Sequence, residues 1–96
     1  MAGVKDTPLE PKGYQQLTVS TTAVALTVPT GARFALMKIE SATNTLRWRD
    51  DGTNPTSATG FLVDSLVPFF YVGKLSSFKA IRSAAADAVL DVAYYA

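Results

Sequence analysis

Apolar and polar residues alternate with a period of two along most of the chain, which is typical of half-buried β-strands. One example is 22–28, where Val24, Leu26 and Val28 share one face and smaller or polar residues take the other. Runs of this kind predict strands over residues 14–20, 22–28, 33–41, 45–50, 61–72, 78–83 and 88–96.

Turn-forming residues separate these runs at intervals of roughly 8–12 residues, as in antiparallel sandwiches and barrels. Turns are predicted at 29–31, 42–44, 73–77 and 84–87, and the longest polar stretch is 50–60. Pro68 divides the run 61–72 or places it at a sheet edge, which makes seven or eight strands. Alanine-rich residues 76–90 also fit a helix, although their apolar positions do not keep to one helical face. The predicted class is therefore all-β and antiparallel.

The first thirteen residues differ from the rest because they combine charges with Pro8, Pro11 and Gly13. Proline disfavours helix and removes a ladder hydrogen bond, so residues 1–13 are predicted to form an extended N-terminal arm. Two interpretations stay open for this arm: a frayed terminus, or a segment that orders on a neighbouring subunit. Residues 14–96 are predicted to form a single β-sandwich domain.

Composition limits the chemistry that this 96-residue chain can perform. It contains neither histidine nor cysteine, so the commonest general base, thiolate nucleophile and transition-metal ligands are missing. The net charge of +1 also lacks the basic excess of a nucleic-acid or membrane-surface binder. Without a signal-like apolar run after Met1, we expect a soluble protein made in a reducing cytoplasm. We expect neither an enzyme nor a cofactor.

Asp50, Asp51 and Asn54 are the best candidates for an ion or catalytic site. Oxygen ligands beside a glycine suit calcium, but no further acid follows before Asp64, and Asp-Gly is a strong turn signal. A glycosidase needs two carboxyl groups that face each other across a cleft, which adjacent turn residues seldom provide. The turn interpretation is favoured, and no metal site is predicted.

Arg47, Trp48 and Arg49 could stack on bases or sugars. On a strand, however, the tryptophan points away from both arginines. Trp48 is therefore predicted in the core, with the arginines on the solvent face.

Consecutive aromatic residues occur at two places, and residues adjacent on a strand face opposite sides of a sheet. Some aromatic surface should then be exposed or covered by a partner, since a sandwich buries one side of each sheet. The predicted subunit-interface residues are Phe69, Phe70, Tyr71, Tyr94 and Tyr95.

Four motifs of the chain are distinctive as a set: PTGARFAL, RWRDDGTNPT, the GFLV that follows it, and the closing VLDVAYYA. Together they resemble a group of small tailed-bacteriophage proteins that are encoded near the head genes, and the resemblance covers residues 17–96. It implies a virion protein with a jelly-roll-like β-sandwich. Some members are capsid cement, or decoration, proteins that commonly form trimers between capsomers, and others belong to head fibres, tails or baseplates.

From this resemblance we expect a homotrimeric cement protein on the capsid surface, made in the host bacterial cytoplasm, with the major capsid protein as its partner. The alternative is a head-fibre or tail module that recognises a host glycan. Nucleic acid and membrane are not expected partners. The predicted capsid-contact residues are Val4, Lys5, Asp6, Leu9, Lys12, Asp51 and Asn54.

Overall fold

The fold is a sandwich of two four-stranded antiparallel sheets, given by a computed structural model that describes residues 8–96. Within these residues lie eight strands and one short 3₁₀ turn, Leu75–Ser77. The strands are β1 (Pro11–Val19), β2 (Val24–Ala25), β3 (Phe34–Ile39), β4 (Leu46–Arg49), β5 (Phe61–Val63), β6 (Phe69–Tyr71), β7 (Lys79–Arg82) and β8 (Ala88–Tyr95). The predicted all-β class is confirmed.

Strand order identifies the sandwich as a jelly roll. One sheet, here called sheet A, has the order β1-β8-β3-β6, and the other, sheet B, has the order β2-β7-β4-β5. The first strand pairs with the last, the second with the seventh, the third with the sixth and the fourth with the fifth. Such nested pairing is one long hairpin rolled into two sheets, the architecture of eight-stranded jelly rolls.

The core lies between the sheets and follows the alternation in the sequence. Along β3, Ala35, Met37 and Ile39 are fully buried, and along β8 so are Leu90 and Val92. Sheet B contributes a smaller set of buried side chains because its strands are shorter. The buried apolar residues are Leu17, Val19, Leu26, Ala35, Met37, Ile39, Leu46, Val63, Tyr71, Leu75, Phe78, Ala80, Ala88, Leu90, Val92 and Tyr94.

The first strand begins earlier than the sequence predicts. Pro11 is opposite Tyr95, and the register shifts between Pro11 and Gly13, so these residues belong to the sandwich and the arm ends before them. Proline is tolerated here because β1 is an edge strand and Pro11 is its first residue. Residues 1–7 lie outside the described part of the chain.

The alanine-rich stretch 76–90 forms strands rather than the helix that its composition also allowed. Lys79–Arg82 pairs with β4, and Ala88–Tyr95 takes a central place in sheet A. Tertiary pairing outweighs the high helix propensity of the alanines between them. In the part of the chain that the structure describes, no helix is long and apolar enough to cross a membrane.

Candidate functional site

Exposed apolar side chains are concentrated on one side of the sandwich. β5 and β6 end their respective sheets and are joined by residues 64–68. Of the eight large apolar side chains exposed within residues 8–96, six belong to this region, which we call the β5–β6 edge. They are Phe61, Leu62, Leu66, Val67, Phe70 and Val72.

A groove of about 300 Å³ opens at the β5–β6 edge. Trp48 lines it and also packs against the core, which it contacts through Phe78 at a ring-centroid distance of 5.2 Å. Phe61 covers the other side of the indole at 5.0 Å but keeps 67% of its surface exposed. Asp64 and Ser65 add polar groups to the groove. The edge therefore combines an aromatic groove with an apolar rim.

A second apolar row crosses the outer face of sheet A and reaches the edge at Phe70. Tyr14, Ala93, Leu36 and Phe70 lie opposite one another in register, one from each strand. The Phe70 ring is 6.4 Å from that of Tyr95, centroid to centroid. Phe70 is exposed and Tyr95 is half-buried, and their place in a subunit interface stays a prediction.

A polar cluster borders this row. Tyr14 donates a hydrogen bond to Asp91 at 2.9 Å, and the Gln16 amide donates to the same carboxylate oxygen at 3.1 Å. Partial burial raises the pKa of Asp91, but hydrogen bonds from its neighbours outweigh that effect and leave the pKa below its usual value. The neighbouring Asp91 carboxyl group raises the pKa of Glu40.

Two of the predicted interface residues are core residues, and their assignment to an interface is wrong. Tyr71 and Tyr94 are 5% and 1% exposed, because their positions on β6 and β8 point between the sheets. The Tyr94 hydroxyl donates to Gln15 Oε1 at 2.7 Å, and burial raises the pKa of Tyr94 to about 12. Phe69 is half-buried and packs against the core, so it contributes little accessible surface.

Polar loop 50–60 is held down on sheet B. Arg47 donates from Nε to the Ser57 carbonyl at 3.2 Å and from a terminal nitrogen to the Gly60 carbonyl at 2.9 Å. Thr56 and Thr59 exchange backbone hydrogen bonds, and Pro55 is buried. Arg47, on the solvent face of β4, therefore holds loop 50–60 against sheet B through two backbone carbonyl groups.

The acidic residues of this loop bind protein groups individually. Asp50 accepts a hydrogen bond from the Tyr71 hydroxyl at 2.6 Å. Asp51 forms a bidentate pair with Arg49, whose hydrogen bond lowers the pKa of Asp51. Asn54 is exposed. Among residues 8–96, no three acidic, histidine or cysteine side chains come together as metal ligands would.

A depression of about 450 Å³ lies between the same loop and the outer face of sheet B. Thr21, Ser57 and Arg82 line it. The Arg82 guanidinium donates to Asp87 at 2.7 Å, and hydrogen bonds from Ser20 and from Arg82 lower the pKa of that carboxyl group. Because Asp87 neutralises Arg82, the depression has little attraction for an anion.

The predicted capsid-contact residues are divided between described and undescribed parts of the chain. Val4, Lys5 and Asp6 lie outside the described residues. Leu9 is 46% exposed, and Lys12 forms an ion pair with Glu10 at 2.9 Å. Asp51 and Asn54 lie on loop 50–60, and neither they nor Leu9 and Lys12 line the groove.

Searches against family models, curated proteins and solved structures return no match to this chain. The class is accordingly defined by the fold alone: a small jelly-roll domain with an apolar edge. The exposure of Phe61, Leu62 and Val67 was not predicted from the sequence. The signal available for it was Pro68, because proline within a strand run indicates a sheet edge.

Proposed function

We propose that the chain is a bacteriophage capsid cement protein that binds the outside of the head shell between capsomers as a homotrimer. The observation that carries this proposal is the concentration of exposed apolar surface on one side of a small jelly roll. Jelly rolls are frequent in viral capsid proteins, and contiguous exposed apolar surface marks sites of assembly. The four sequence motifs that resemble phage head-gene products point to the same role.

Because the core of the domain is small, binding to a shell would add to the stability of the domain itself. A domain of this size buries only about 60–65% of the surface of its unfolded chain, so further burial on an assembled shell adds substantially to stability. Binding to the assembled shell in preference to the free capsid protein stabilises the shell by mass action. Several contacts around a closed ring reinforce one another.

Leu9 and Asn54 are accessible to the shell, since both are exposed and neither belongs to the core of the domain. The arm is tested by deleting residues 1–9, which retains Glu10 and its two backbone hydrogen bonds to Ala96. We expect capsid binding to weaken at least tenfold, while the thermal midpoint of the isolated domain changes little. Unchanged capsid binding would remove the arm from the proposal.

The decisive experiment is the copy number of the chain in purified particles of its phage, measured by quantitative mass spectrometry against the major capsid protein. Cement predicts one copy per capsid chain or a simple fraction of that, which amounts to hundreds of copies. A few dozen copies or fewer would place the chain at a vertex, fibre or tail. Its absence from the particle would reject a virion role.

The groove at Trp48 and Phe61 favours one alternative, a head-fibre or tail module that recognises a host glycan. Aromatic rings beside Asp64 and Ser65 provide the stacking surface and the hydrogen-bond acceptors that sugar recognition uses. A glycan array with the purified chain tests it. Specific binding that Phe61→Ala abolishes would support the alternative, and a silent array would reject it.

A further inference from the structure

We infer that the β5–β6 edge is covered by a second copy of this chain, and that copies meet through Phe61, Leu62, Leu66 and Val67 rather than through the tyrosines of β6 and β8. The inference rests on the proposed function for its expectation of self-association. It adds the surface and the residues that join the copies.

The area of the edge suits a protein interface. When each exposed fraction is applied to an ordinary residue surface, the six apolar side chains of the edge expose roughly 600 Å² in total. They do not share one face, since Leu62 is opposite Arg47 on the outer side of sheet B and Phe70 lies on the outer side of sheet A. One partner in a standard interface contributes about 800 Å², and the largest apolar patch on a typical monomer is about 300–600 Å². The edge is therefore at the upper limit for a monomer and supplies part of one side of a standard contact.

Charge favours a copy of the chain over a partner of opposite charge. Asp64 is the one charged residue between positions 61 and 72, so the edge offers no charge pattern for a basic or acidic partner to complement. Interfaces between identical subunits are the more apolar class, with charges depleted at their centre. A formal charge of +1 per chain opposes the approach of a second copy only weakly.

The strand at this edge has only one of the usual protections against self-pairing. Natural edge strands are kept very short, or they carry lysine, proline, an inward charge or a bulge that prevents other chains from adding to the sheet. β5 is Phe61–Val63, so it is short but has no charged residue or proline, and on its outer side no strand pairs with it in the described chain. A contact between copies at this edge therefore covers backbone groups that only the shortness of β5 otherwise protects.

Trp48 reports on this contact. It is the single tryptophan of the chain and lines the groove at the edge. A second copy that covers the groove removes water from the indole, and dissociation restores it. Tryptophan emission should therefore shift to longer wavelength on dilution, over the same concentrations at which the mass of the particle falls.

The test uses the purified full chain, with sedimentation and Trp48 emission measured across a dilution series. Leu62→Glu and Val67→Glu each place a charge within the contact and should weaken association at least tenfold. The control is Thr18→Glu, because Thr18 is exposed on β1, the strand at the opposite end of sheet A from β6. Thr18→Glu should leave association unchanged. Urea unfolding of all three variants verifies that each one folds.

Two results would overturn the inference: a wild-type chain that stays monomeric up to roughly 1 mM, where an association free energy near −4 kcal/mol still gives substantial dimer, or an oligomer that both edge variants leave intact. These results are distinct from failure of the proposed function. A monomeric chain present at hundreds of copies per particle would reject the edge contact and keep cement. An oligomer that depends on the edge residues, formed by a chain that is absent from particles, would support the edge contact and reject the virion role.

Discussion

Gln15 provides the sharpest test of how polar groups are accommodated at the margin of the core. Its side chain is half-buried on β1, and its Oε1 accepts one hydrogen bond from the Tyr94 hydroxyl at 2.7 Å and another from the Thr27 amide at 3.1 Å. Gln15→Met keeps the length of the side chain but removes the acceptor. Both donors then lose their partner at once.

The expected loss depends on what each donor can do without Gln15. Tyr94 is 1% exposed, so its hydroxyl cannot turn to water, and a buried unpaired donor costs about 1–3 kcal/mol. Thr27 is exposed, and water can replace the lost acceptor at its amide. Gln15→Met should therefore destabilise the fold by about 2 kcal/mol, which lowers the thermal midpoint by roughly 8–16 °C in a domain of this size.

Tyr94→Phe removes the hydroxyl itself and leaves no buried donor behind. Its cost is that of one net hydrogen bond, about 1 kcal/mol. In the double variant the unpaired hydroxyl is absent as well, so the second substitution should recover about 1 kcal/mol of what Gln15→Met loses. Urea unfolding followed by Trp48 emission measures all three free energies. A double variant no more stable than Gln15→Met alone would refute the reasoning.

Three further predictions concern the turns, the tyrosines and loop 50–60. Gly60→Ala should lower the free energy of unfolding by about 2 kcal/mol or more, because φ is 136° and the new Cβ would lie 3.0 Å from a backbone oxygen. Gly52→Ala, at φ 88° in open space, should lower it by only about 1 kcal/mol. Equal losses for the two variants in urea unfolding would contradict this. Burial raises the pKa of Tyr94 to about 12 from the usual 10.0, so the contribution of the neutral hydroxyl to stability is complete below pH 10 and is lost as pH rises towards 12. Circular dichroism should show alkaline unfolding that Tyr94→Phe shifts to higher pH. The same midpoint pH of unfolding in the wild-type chain and in Tyr94→Phe would argue against this role of Tyr94. Arg47→Met should accelerate amide hydrogen exchange at Thr56 and Thr59 at least tenfold, whereas Arg49→Met should not, because only the former bonds to the loop backbone at Ser57 and Gly60; equal protection in both variants would contradict the assignment.

The alternation of apolar and polar residues predicted much of the fold, because a strand that buries one face has an apolar residue at every second position. Val24, Leu26 and Val28 turn inward as their spacing predicts, although only Val24 and Ala25 form ladder pairs. Trp48 packs against the core and Arg47 points away from it, again as predicted. Turn residues set the number of strands, because each reversal of the chain needs residues that tolerate it.

The inward and outward faces of a strand were harder to assign where consecutive residues are all aromatic. Phe69, Phe70 and Tyr71 are all large aromatic residues, so composition does not show which of them turns inward. Only the pairing of β6 with β3 places Tyr71 in the core. Tyr94 continues the buried series of Leu90 and Val92, a pattern that outweighs its polar hydroxyl. The sequence offered a sheet edge at Pro68 only as an alternative to a division of the run 61–72. It could not decide between them, because lateral position in a sheet depends on topology, which local sequence does not encode.

The place of β8 determines the order in which the chain can fold during synthesis. It lies between β1 and β3 in sheet A, yet it follows every other strand along the described chain. Until β8 leaves the ribosome, β1 has no partner and sheet A consists of β3 and β6 alone. Pairing of strands so distant in sequence is slow. We therefore expect nascent chains to lack sheet A until β8 has emerged, and to gain it then in one cooperative step.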